Sequence, residues 1–163
     1  MEFRKLNYIE ELFINNSSSL DGHLVHLPAS GCSENYINLL KERFANYSPD
    51  FFNFLTKHNG MEIDDIRFMG DKNCVYGSIM ETMKNLGVSN IMPIAKDSIG
   101  SVFFINEKHN VFLWEFKHQP VEESSFISEN FNDFINSFCL GTDYSKFYGE
   151  NDWYMFLQSN GWT

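Results

Sequence analysis

Three apolar runs in one short stretch decide most of what this chain can fold into. IMPIAKD, GSVFFIN and NVFLWEFK, between residues 91 and 117, are rich in Val, Ile, Phe and Trp, which suit a pleated surface. NEKHN, residues 106–110, joins the last two as a hairpin turn, and strands joined by so short a turn run antiparallel. Helix-patterned segments lie before and after this block. Helices, then strands, then helices point to an α+β fold with a mostly antiparallel or mixed central sheet, not a wound parallel one. A length of 163 residues suits one domain spanning 1–163, and seventeen Phe with seven Tyr supply its core.

The helices carry their own punctuation. Phe3, Leu6, Ile9 and Phe13 predict a first helix over 3–14, and NNSSSLDGH follows as a loop. Ser33 opens a second, with Glu34 at its positive end and Tyr36, Leu39, Leu40 and Phe44 as an apolar stripe. YSPDFFNFLTKHNG, 47–60, has Ser48 as cap, Pro49 in the first turn, Phe51, Phe52 and Leu55 on one side, and Gly60 for a left-handed stop. GSIMETMKNLG predicts a short helix ending at Gly87. SENFNDFINSFCLG predicts another, capped by Ser128, with Phe131, Phe134, Ile135 and Phe138 on one stripe and Gly141 closing it. NDWYMFLQSNG is a last short helix, with Asp152 as cap and Gly161 as stop.

Two segments resist a regular pattern. MEIDDIRFM alternates until Asp64 and Asp65, which reads as a bulged strand or one at a sheet edge. VFLWEF has two strand faces: Val111, Leu113 and Glu115 on one, Phe112, Trp114 and Phe116 on the other. The aromatic face is expected to be core, with a ligand groove as the other reading.

Charge excludes some partners. Twelve Lys and Arg against twenty-two Asp and Glu leave −10, the wrong sign for a phosphate backbone or an anionic membrane surface. The expectation is no direct nucleic acid, no membrane, and a basic partner if there is one. Cys32, Cys74 and Cys139 are odd in number and show no CxxC, so a disulfide framework is not expected. MEFRKLNYIEELF lacks a continuous apolar stretch and does not read as a secretory signal, and no run reaches the ~20 apolar residues of a membrane span. A cytoplasmic location follows as the expectation.

Chemistry has few candidates. His23 and His26 lie three apart with only Cys32 as a third ligand, poorly placed for zinc, so no metal and no cofactor are expected. No GxSxG elbow, Walker loop or GxGxxG occurs. Asp97 and Ser98, before Gly100 in AKDSIGSVFFI, form either a loop presenting them to a ligand or a corner in which Asp97 accepts backbone hydrogen bonds. Asp97 with Glu115 is the carboxylate pair a small hydrolase would use, at a separation only the fold can set.

Three stretches, in order, resemble one family. YSPDFFNFLTKHNG resembles the early helix of the SUKH superfamily, usually Leu-Pro, an aromatic, Phe-Leu and a closing Asn-Gly. NIMPIAKDSIGSVFFI is similar to its central strand, acidic turn and apolar strand, and SENFNDFI to its late helix. The resemblance covers about residues 33–140, with the first helix and the aromatic tail as additions. It departs at Ser48-Pro49, at Met61 after Asn59-Gly60, and at Ser101 after Gly100.

The resemblance implies an α+β binding scaffold without catalysis, in which Pro49, Phe52, Leu55, Gly60, Gly100, Phe131 and Phe134 are structural. The family includes bacterial immunity proteins against polymorphic toxins and yeast regulators of cell-wall assembly. It implies an immunity protein that neutralises a cognate toxin effector domain, with a regulatory scaffold as the alternative. Glu62, Asp64 and Asp65, which interrupt an otherwise apolar segment, and then Asp97, on the turn, are the residues expected to meet the toxin. A solvated edge strand, which uses charge against aggregation, is the competing reading of that cluster.

Overall fold

The computed structural model describes residues 3–163, an α+β chain whose strands form one antiparallel sheet. In chain order the elements are α1 (Arg4–Ile14), β1 (Val25–His26), α2 (Glu34–Phe44), α3 (Pro49–Lys57), β2 (Met61–Ile63), β3 (Ile66–Phe68) and α4 (Ile79–Leu86). Then follow β4 (Met92–Asp97), β5 (Val102–Ile105), β6 (Val111–Trp114), β7 (Ser125–Ser128), α5 (Phe131–Asp133), α6 (Tyr144–Tyr148) and α7 (Asp152–Ser159). The seven strands lie side by side in sequence order, β1 to β7, each antiparallel to the next.

Local chemistry sets the helix ends. Ser33, Ser48 and Ser78 each accept a bond from the amide three residues on, at 3.4, 3.2 and 3.3 Å, satisfying a donor the helix leaves free. Pro49 occupies the first turn of α3, and Gly87 closes α4 in the left-handed region. Two caps differ from expectation. Asn130, not Ser128, caps α5, and Asn151, not Asp152, caps α7. Ser128 is the last residue of β7, where its hydroxyl donates to the Asn130 carbonyl. The stripe of α2 also shifts: Ile37 is buried and Leu39 is half exposed.

The helix expected after residue 130 begins as α and continues as a π-helix over Phe134–Cys139. The wider turn buries Phe134, Ile135, Phe138 and Cys139 together. Lys5 donates to the carbonyls of Asn136 and Leu140 at its end, at 2.8 and 2.9 Å.

MEIDDIRFM is neither a bulge nor one edge strand. Met61 pairs with Phe68 and Ile63 with Ile66, so Asp64 and Asp65 are the two turn residues of a hairpin. Asp64 has φ +49°, which Asp tolerates better than most side chains.

Cross-strand partners share a face, and the register sorts the sheet. Met61, Phe68, Ala95, Phe103 and Leu113 form one row, beside Met92, Ile105 and Val111. That face meets α1, α2, α3, α4, α5, the π-helix, α6 and α7 in the main core, around Phe51, Phe54, Phe131 and Phe134. Both faces of β6 reach apolar packing, and the aromatic one expected as core does so outside the main core. Val111 and Leu113 enter the main core, while Phe112, Trp114 and Phe116 join a second, small cluster with Ile91, Phe104, Leu86 and Val121. Strand alternation identifies two faces without saying which turns inward.

Candidate functional site

The carboxylates singled out in the sequence separate. Asp64, Asp65 and Asp97 gather where the β2–β3 and β4–β5 turns meet α6 and α7. Glu62 lies on the opposite face of the sheet, paired with Arg67 at 2.8 Å beside it in register.

At the gathered end the carboxylates hold elements together. The Tyr144 hydroxyl and the Asn151 amide, the latter at 3.2 Å, both donate to Asp64 Oδ2. The Asp64 amide donates to the Leu24 carbonyl at 2.6 Å. Asp65 Oδ2 accepts from Ser98 Oγ at 2.8 Å, joining the two turns. Asp97 accepts from the Ser101 amide at 2.9 Å and from the Tyr148 hydroxyl at 3.2 Å. Of the two readings of Asp97, the corner is the one its geometry supports: it is 3% exposed, on the core face opposite Ile66, and not on the surface a partner would touch.

The electrostatics fit this role. Burial raises the Asp97 carboxyl above its ordinary value against the pull of those two bonds. Burial, then Asp64 for Tyr144 and Asp97 for Tyr148, push both tyrosine hydroxyls far upward, so they stay protonated donors. Tyr144 and Tyr148 are four apart on one helical face, the only sequence signal for this cluster. Glu115, the other half of the carboxylate pair weighed for hydrolysis, is exposed beyond the end of β6 and accepts from Gln119.

A second polar centre, unanticipated from sequence, ties the start of α2 to the ends of α3 and β3. Asn59 Oδ1 accepts from the Asp71 amide and from Cys32 Sγ, at 2.8 and 3.2 Å, while its Nδ2 donates to Asp71 Oδ1 at 2.8 Å. Asp71 also accepts from the amides of Ser33 and Asn73. Burial, then Asp71, push the Cys32 thiol up to about 12, in keeping with its place as a donor to Asn59. Cys32, Cys74 and Cys139 are free thiols.

His23 packs on Trp153 and Phe156, and His26 bonds Tyr76 at 2.7 Å from edge strand β1. Among the described residues no group of three His, Cys, Asp or Glu could hold a metal ion, and no helix is long and apolar enough to cross a membrane.

The face of the sheet turned away from the main core divides in two. His26, Glu62, Arg67 and Lys96 lie in register as a polar row. Phe104, Phe112 and Phe126 lie in register as an aromatic one, with centroids 5.6 and 5.7 Å apart in succession. Phe126 is 54% exposed, and Glu115, Glu122, Glu123 and Glu129 near it are exposed. The chain matches no model of a known protein family, and no curated protein matches its sequence.

Proposed function

We propose that this protein is an immunity protein, which binds one cognate toxin domain of basic surface in the cytoplasm of the cell making both, and occludes its active cleft. The observation that carries the reading is how its carboxylates divide. Asp71 and Asp97 are buried and Asp64 half-buried, all three spent on turns and helix ends. The excess of twenty-two acidic over twelve basic residues leaves an exterior negative enough to recognise a cation-rich protein. The order of the three stretches resembling the SUKH superfamily supports the same reading.

Occlusion needs speed and area. Electrostatic steering raises association toward about 10⁸–10⁹ M⁻¹s⁻¹ at low salt, against about 10⁵–10⁶ without it. A standard interface takes about 800 Å² from each side, about a tenth of the 8389 Å² surface here. The test is co-expression with the adjacent reading frame. Rescue of growth with co-purification of its product supports the reading. A harmless neighbour that neither binds nor needs rescue overturns it in favour of a regulatory scaffold.

A further inference from the structure

The aromatic row of the face turned away from the main core runs to an open edge. Among the described residues β7 stands last in the sheet and pairs with β6 alone. Its sequence, Ser-Phe-Ile-Ser, has none of the Lys, Pro or inward charge that commonly protects such an edge. A register shift opposite Val111 and Phe112 adds twist, yet Ser125 and Phe126 remain exposed. Exposure rises along the row, from 4% at Phe104 to 54% at Phe126. One more strand outside β7 would extend the row and cover its last ring.

Charge says what that strand would be. From His118 to Ser145 the chain has no Lys or Arg, but it has Glu122, Glu123, Glu129, Asp133 and Asp143. A second copy of this chain would set these carboxylates against their own kind, at −10 per molecule. A cationic segment meets complementary charge on both flanks of Phe126.

We propose that the open edge of β7 takes one extended, cationic segment of a partner polypeptide as an eighth strand. An apolar side chain of that segment seats on Phe126 and Phe112, and its basic side chains face Glu122, Glu123 and Glu129. The proposal rests on the reading of a basic protein partner and says where it docks. Main-chain bonds to the edge supply affinity, and the alternate side chains supply selection.

The probe is a short blocked peptide of alternating lysine and valine, compared with the same peptide N-methylated at each valine. The two have equal charge, but the second has lost donors along one edge. The first is expected to slow hydrogen exchange of the Ser125–Ser128 amides. The second is expected to bind about tenfold or more weakly, the loss of two or three hydrogen bonds. Phe126→Ser should weaken the first peptide, and a Glu122→Gln, Glu123→Gln variant should also flatten its salt dependence.

Equal binding of the two peptides, or protection centred on the Asp64–Asp65 turn, would overturn the proposal. So would a dimer in sedimentation that Phe126→Glu dissolves, since a second copy would then hold the edge. With a cognate toxin in hand the two ideas separate. Undiminished toxin binding by the triple variant Phe126→Ser, Glu122→Gln, Glu123→Gln removes the edge and leaves the immunity reading. Peptide protection of β7 in a protein with no toxin partner does the reverse.

Discussion

Asn59 and Asp71 clasp each other twice: the side chain of Asn59 donates to the Asp71 carboxylate while accepting the Asp71 backbone amide, both at 2.8 Å. The clasp closes the step from α3 into β2 onto the loop after β3. Through Ser33 it also reaches the start of α2. The chain comes close here. A Cβ on Gly70 would lie 2.0 Å from Asn59 Oδ1, so Gly70 is what lets the amide sit there.

Asp71→Asn should therefore destabilise the fold, because one oxygen becomes an amide group facing the Ser33 amide. The expected loss is about 1–3 kcal/mol at pH 7 by urea unfolding. Burial alone would raise this carboxyl, but bonds from Asn73, Asn59 and Ser33 hold it below the ordinary 3.8. A depressed folded value gives stability that is full above the unfolded value and is lost as pH falls through the folded one. The gap between wild type and variant should therefore narrow on acidification below that range. A constant gap would assign the loss to packing.

What was legible in the sequence was local. Ser48-Pro49 and Ser78 to Gly87 announce helix ends because a cap needs only neighbours three or four residues away. Ser-Glu-Asn before Phe131 offers two capping side chains, Ser128 and Asn130, and only the path of β7 settles that Asn130 caps. The two-residue β1 and the polar β7 are too short to show alternation. Asn59 meets Asp71 across twelve residues with no spacing rule to find it. Phe126 carries no signal in SSFIS that it closes an aromatic row, since that depends on strand pairing.

Gly60 tests how tightly the same junction is built. Its φ of +84° is one that side chains resist, and a Cβ would fall 2.5 Å from Cys74 Sγ and 2.7 Å from the Phe68 carbonyl. Gly60→Ala should cost at least about 1–2 kcal/mol from the backbone alone, with the contacts adding to it. Cys74→Ala in the same chain should recover part of the loss, because it removes the sulfur but leaves φ and the carbonyl. Thermal unfolding of the two single variants and the double completes the cycle.

Asp97 should behave in the opposite sense to Asp71. Its carboxyl is raised by burial, so ionisation costs stability in the folded state. That cost is full above the folded value and disappears as pH falls toward the unfolded one. Asp97→Asn keeps an oxygen for the Ser101 amide and gives Tyr148 a donor in place of an acceptor, which a hydroxyl accommodates. The variant should match or exceed wild type at pH 7, with its advantage shrinking on acidification. Asp97→Ala, which orphans both partners, should lose about 1–3 kcal/mol. A pH-independent difference for the Asn variant would show that the charge is not the issue.

Two phenylalanines separate scaffold from surface. Phe134 is fully buried, its ring 5.0 Å from that of Phe103, 5.5 Å from Phe138 and 5.8 Å from Phe68. Phe134→Ala should cost about 3–5 kcal/mol, since rings on several sides cannot all close the space. Phe126 touches Phe112 at 5.7 Å from one side and water from the other. Phe126→Ala should stay within about 0.5 kcal/mol of wild type, as exposed substitutions do. Urea midpoints at equal m-values measure both. A large loss at Phe126 would make that ring part of the foundation, so that weak binding by its variants could no longer be read as loss of a docking surface.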